Sequence, residues 1–78
     1  MVTVHRFEGL RFVIYSNDHD PALIHVIGAG CEAKVQLVGP ELRLIWQAGF
    51  SPADLRRILD EVRKERFPLL KRWKDIHG

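Results

Sequence analysis

Up to about residue 48, apolar and polar residues alternate with a period near two; beyond it the apolar spacing changes to three and four. Residues 2–7 are short and rich in β-forming types, and Glu8-Gly9 separates them from Leu10-Arg-Phe-Val-Ile-Tyr15. The pair reads as a hairpin turning at Glu8-Gly9. In its second strand Phe12 and Ile14 share one face, and Val13 and Tyr15 share the other. Apolar residues on both faces mark a central strand, or one covered at an interface. Ser16-Asn-Asp-His-Asp-Pro21 then breaks the regular pattern with side chains that bond to local backbone. Ile24-His-Val-Ile27 is a short strand stopped by Gly28-Ala-Gly30. From Cys31 to Val38, Ala33, Val35 and Leu37 point one way, while Glu32, Lys34 and Gln36 point the other. After Gly39-Pro40, Leu42, Leu44 and Trp46 alternate with Arg43, Ile45 and Gln47, which places Trp46 in the core together with Trp73.

Ser51-Pro52-Ala53-Asp54 is a helix start: serine as N-cap, proline in the first helical position, and an acid three residues after the cap. Leu55, Ile58, Leu59, Val62, Leu69, Trp73 and Ile76 continue as one apolar stripe, with Arg66 in the position between Val62 and Leu69. The opposite face carries charge, with Asp60–Lys64 and Arg57–Glu61 spaced for pairing one turn apart. Pro68 removes a backbone donor and predicts a kink near residues 64–68. Strands followed by a helix predict a single α+β domain over residues 1–78. Its antiparallel sheet has four to five strands (2–7, 10–16, 24–27, 31–38 and 41–47), and one C-terminal helix (52–76, kinked near Pro68) packs on one face. The second sheet face, with Val13, Tyr15 and Ile45, is then available to a homodimer or a partner protein.

Composition narrows the class. No apolar run approaches a membrane span, and the N-terminus lacks the basic head and long apolar stretch of a signal peptide, so the expectation is a cytoplasmic protein. A single cysteine, Cys31, excludes an internal disulfide. The net charge is +2, but unevenly spread. Residues 1–50 hold four Lys/Arg against five Asp/Glu, and residues 51–78 hold eight against five. That excess permits RNA contact without demanding it.

Candidate chemistry concentrates in Asn17-Asp-His-Asp-Pro-Ala-Leu-Ile-His-Val26, at the seam between two strands. Asp18, His19, Asp20 and His25 offer oxygen and imidazole donors for a metal ion. His19 and His25 would alternatively serve as the acid and base of a metal-independent ribonuclease needing no cofactor, with Arg6, Arg11, Lys34 or Arg43 steadying phosphate or contacting a partner. A purely structural role also fits, with His19 bonded to the turn backbone and His25 half-buried in its strand.

Tyr15-Ser-Asn-Asp-His-Asp-Pro, His25-Val26, Gly30-Cys-Glu-Ala-Lys34 and Gly49-Phe-Ser-Pro-Ala-Asp-Leu-Arg-Arg-Ile-Leu59 together resemble a family of small bacterial domains of unknown function, number four-one-six-zero. The resemblance runs from Thr3 to Trp73. Members read His-x-Pro-x-His-x-His-Val after the second strand; here the first histidine falls on His19, the last on His25, and the middle position holds Leu23. The resemblance implies a component of a two-gene, toxin–antitoxin-like module with a small cognate protein partner. It implies no particular reaction.

Overall fold

The computed structural model describes residues 1–19 and 21–78. Five strands, β1 (Val2–Phe7), β2 (Leu10–Ile14), β3 (Leu23–Gly28), β4 (Cys31–Gln36) and β5 (Arg43–Ala48), precede α1 (Pro52–Lys64) and α2 (Arg66–His77). The strands form one antiparallel sheet in the order β1-β2-β3-β4-β5, each pairing with its sequence neighbours. Among the described residues no helix is long and apolar enough to cross a membrane.

The first hairpin turns in two residues, Glu8 (φ 49) and Gly9 (φ 80), whose positive φ angles match the twist of the flanking strands. Phe12, Ile14, Ile24, Val26, Ala33, Val35 and Leu37 then line one sheet face. Ile58, Val62, Leu69 and Trp73 of the helices close over them, so both helices lie on that side. The α1 cap forms as its residues dictate: Asp54 N–H donates to Ser51 Oγ (3.1 Å), and Pro52 opens the helix where no N–H is needed.

Two irregularities change which residues face the helices. In β1 the register slips between Thr3 and His5, leaving Val4 unmatched and turning His5 onto the helix side opposite Phe12. In β5 the register slips between Lys34 and Val35 of its partner: Leu44 opposes Val35, Trp46 opposes Lys34, and Ile45 is the extra residue. Trp46 therefore lies outside the core, 47% exposed on the helix-free face, while Trp73 is buried as expected. Gln47 turns inward by the same slip, and its Oε1 accepts from Phe50 N–H (3.2 Å). Strict alternation through 42–47 fails because the extra residue reverses the faces beyond it.

The single helix is two. Pro68 has no N–H for the Lys64 carbonyl, and its ring clashes with that carbonyl four residues back. Lys64 is where α1 ends, and α2 starts after Glu65. Glu65 N–H still donates to Glu61 O (3.0 Å), and Leu69 N–H to Glu65 O (2.9 Å), so the interruption stays local. Arg66, the charge in the apolar stripe, donates from Nε to Leu37 O (2.7 Å) and from Nη2 to Gly39 O, pinning the β4–β5 connection to α2. Replacing it with Met keeps the stem but strips both carbonyls of their donor. We expect Arg66→Met to lose about 2 kcal/mol, read as a lower urea midpoint at unchanged slope.

Candidate functional site

His25 is set by its strand. It stands opposite Val13 of β2 and Lys34 of β4, which fixes its side chain on the helix-free face. The connection from β2 folds back over it. Asp18 N–H donates to Tyr15 O (3.1 Å), closing a turn, and the Asp18 carboxylate then meets His25 Nε2 at 3.1 Å. Tyr15 packs its ring edge against the imidazole, with centroids 4.2 Å apart and planes at 83°. The His25 side chain is only 5% exposed.

The second ring nitrogen faces Glu32, whose Oε2 lies 3.5 Å from Nδ1. Nδ1 is buried and has no hydrogen-bond partner among the described residues. A neutral ring that donates from Nε2 to Asp18 leaves Nδ1 an acceptor with no donor in reach among the described residues. The two carboxylates address different nitrogens, so they do not converge on one point beside the ring. Among the described residues no group of three or more His, Cys, Asp or Glu gathers where a metal ion would sit. Asp20, the fourth member of the sequence-derived metal set, lies outside the described residues.

His19 points elsewhere. It is exposed and lines a shallow cleft with Asp18, Trp73, Lys74, His77 and Gly78. His77 closes that end of α2: Nδ1 lies 2.9 Å from Trp73 O, Nε2 lies 3.2 Å from Tyr15 O, and the ring stacks on Trp73 at 3.9 Å. Asp18 is thus shared. Its carboxylate holds His25, and it also borders the cleft that contains His19. No hydrogen bond joins the two histidines among the described residues.

Arg6, Arg11, Lys34 and Arg43 are all the lysines and arginines of residues 1–50. The register puts every one on the helix-free face. Arg6 opposes Arg11, Arg11 opposes Ile27, Lys34 opposes His25 and Trp46, and Arg43 opposes Gln36. Lys34 does not pair with Glu32; its Nζ stands 5.7 Å from the Trp46 ring centroid. On the other side of the sheet, His5 Nε2 contacts Glu61 at 2.7 Å and tethers β1 to α1. Glu61 is therefore not available to Arg57, which reaches Glu8 (2.6 Å) and Asp54 (2.9 Å) instead. The His5–Glu61 pair spans 56 positions and has no local sequence signal.

No curated protein and no solved structure matches the chain. A family model described as "Domain of unknown function (DUF4160)" matches residues 9–74, from the first hairpin turn to the last full turn of α2. That match takes in four of the five strands and both helices, and the chain belongs to this family.

Proposed function

We propose that the protein is the partner-binding component of a toxin–antitoxin-like two-gene module, with a small cognate protein docking on α2 around Phe67. The observation that carries this reading is Phe67 itself, 80% exposed in the first turn of α2. With Leu70, Lys71, Lys74 and Asp75 it borders a shallow groove along the helix. An aromatic side chain left in water forgoes about 1.5–3 kcal/mol of burial, and a groove that takes it in recovers that energy. Exposed aromatics of this kind anchor protein interfaces. The geometry around His25 favours binding over acid–base catalysis, because a ring 5% exposed and held by Asp18 has little room to reach a substrate proton.

Co-expression with the product of the adjacent reading frame tests this. A stable complex is expected to co-purify, and Phe67→Ser should weaken it by about thirtyfold while the fold is kept. A complex indifferent to Phe67→Ser moves the contact elsewhere, and no complex at all removes the reading. The ribonuclease alternative is separated by inducing the protein in a bacterial host. Growth arrest abolished by a folded His19→Ala/His25→Ala variant would replace partner binding with catalysis by those two residues.

A further inference from the structure

We infer that the helix-free face of the sheet is a docking surface for single-stranded nucleic acid, running across the strands from Trp46 to the Arg6–Arg11 pair. This surface lies on the opposite side of the sheet from the helices, and the inference stands independently of the partner site on α2. Three observations carry it.

The first is an arrangement of cations that no carboxylate among the described residues pairs with. Arg6 and Arg11 stand directly opposite each other on neighbouring strands. Like charges so placed repel and destabilise the pairing. Among the described residues neither lies within ion-pair distance of a carboxylate, and the same holds for Lys34 and Arg43. Among the described residues the acids met on this face are Glu32 and Asp18, both turned toward His25 rather than toward these cations. Two forked guanidinium groups side by side form a clamp for one anionic oxygen cluster, and phosphate fits their geometry.

The second is a stacking surface at the far end. The slip in β5 rotates Trp46 out of the core onto this face, where it is 47% exposed beside Ile45 at 44%. The Lys34 ammonium lies near its ring, combining a π-face with a cation. Indole stacking is indifferent to base identity, but it requires bases free of a duplex.

The third is reach. Trp46 on β5 and Arg6 on β1 are separated by four strand gaps, about 19 Å at ordinary spacing. Lys34 and Arg11 occupy strands between them, the pass crosses β3 at Ile27 because His25 is buried under Asp18, and Arg43 extends the face on the other side of Trp46. A short single strand can place a base on Trp46 and phosphates over the cations in one pass. A duplex would offer its phosphates without the base, leaving Trp46 unused.

The test is fluorescence anisotropy with labelled oligouridylate and oligothymidylate of about twelve nucleotides, across a salt series. At least one probe should bind, with the logarithm of affinity falling against that of salt at a slope of about −1 to −3, as expected for up to four phosphate contacts. Arg6→Ser/Arg11→Ser should make that slope shallower by about one unit and weaken binding about tenfold or more. Trp46→Ala should weaken binding about tenfold at every salt concentration with the slope unchanged. Circular dichroism and melting check that each variant is folded; Arg43→Ser, at an exposed position, serves if the double variant is not. Absence of binding by both probes at about 50 mM salt overturns the inference. So does binding unaffected by these variants and lost on Arg72→Ser/Lys74→Ser, which would put the nucleic acid on α2. Equal binding of a polyglutamate peptide, insensitive to Trp46→Ala, would reassign the face to an acidic protein segment.

Discussion

Phe12→Ala is expected to cost about 4 kcal/mol of folding stability. Phe12 is fully buried at the middle of β2, opposite His5 on one side and Val26 on the other. Its ring meets the His5 imidazole edge-on, with centroids 5.1 Å apart. Truncation removes the largest fully buried side chain and leaves a cavity that strands on both sides hinder from collapsing. It also releases His5, whose contact with Glu61 ties β1 to α1. A domain of this length has about 4–12 kcal/mol in total, so the variant should keep about 0–8 kcal/mol and lose about a third or more of its urea midpoint. Urea denaturation followed by tryptophan fluorescence, in which buried Trp73 becomes exposed, measures it. A loss below about 1.5 kcal/mol would mean the core closes over the space, contrary to this packing.

Gly49→Ala should be the most damaging small substitution, at about 3 kcal/mol. Gly49 has φ +90, a conformation that strains any residue with a Cβ by about 1–3 kcal/mol. Added to this, the new Cβ would lie 2.7 Å from Gly30 O and 3.1 Å from Cys31 Cα, both backbone atoms that cannot swing aside. This is where the end of β5 crosses the β3–β4 turn before α1. Gly9 provides the control. Its φ is +80 but a Cβ there would meet nothing within 4 Å, so Gly9→Ala carries the conformational cost alone and should lose about 1 kcal/mol. Thermal melts of the two variants side by side separate crowding from conformational preference. Equal losses would remove the steric part of the explanation.

The architecture is legible in the sequence where a signal is local. Strand alternation, the Glu8-Gly9 turn, the Ser51-Pro52 cap and the apolar stripe on the helices each depend on residues a few positions apart. The helix interruption is legible in cause and in place, because proline acts on the carbonyl four residues back, at Lys64, within the expected 64–68. The side to which Trp46 turns is not legible. One unmatched residue in β5 reverses two faces, and nothing in the apolar–polar sequence marks Ile45 as that residue. The candidate site divides in the same way. Asp18 and His25 are close in sequence and group at once, whereas Glu32 joins them only through the β3–β4 register. Arg66, an oddity in an apolar stripe, makes sense only when α2 is seen beside the carbonyls of Leu37 and Gly39.

The irregular pairings fall on β1 and β5, which are the two outermost strands of the sheet. A bulged rim twists its unpaired N–H and C=O groups out of the straight ladder that an incoming strand would need. Copies of this chain are thereby discouraged from adding to one another edge to edge, the route by which exposed sheets grow into fibres. If the molecule self-associates, it should do so face to face, in assemblies that close.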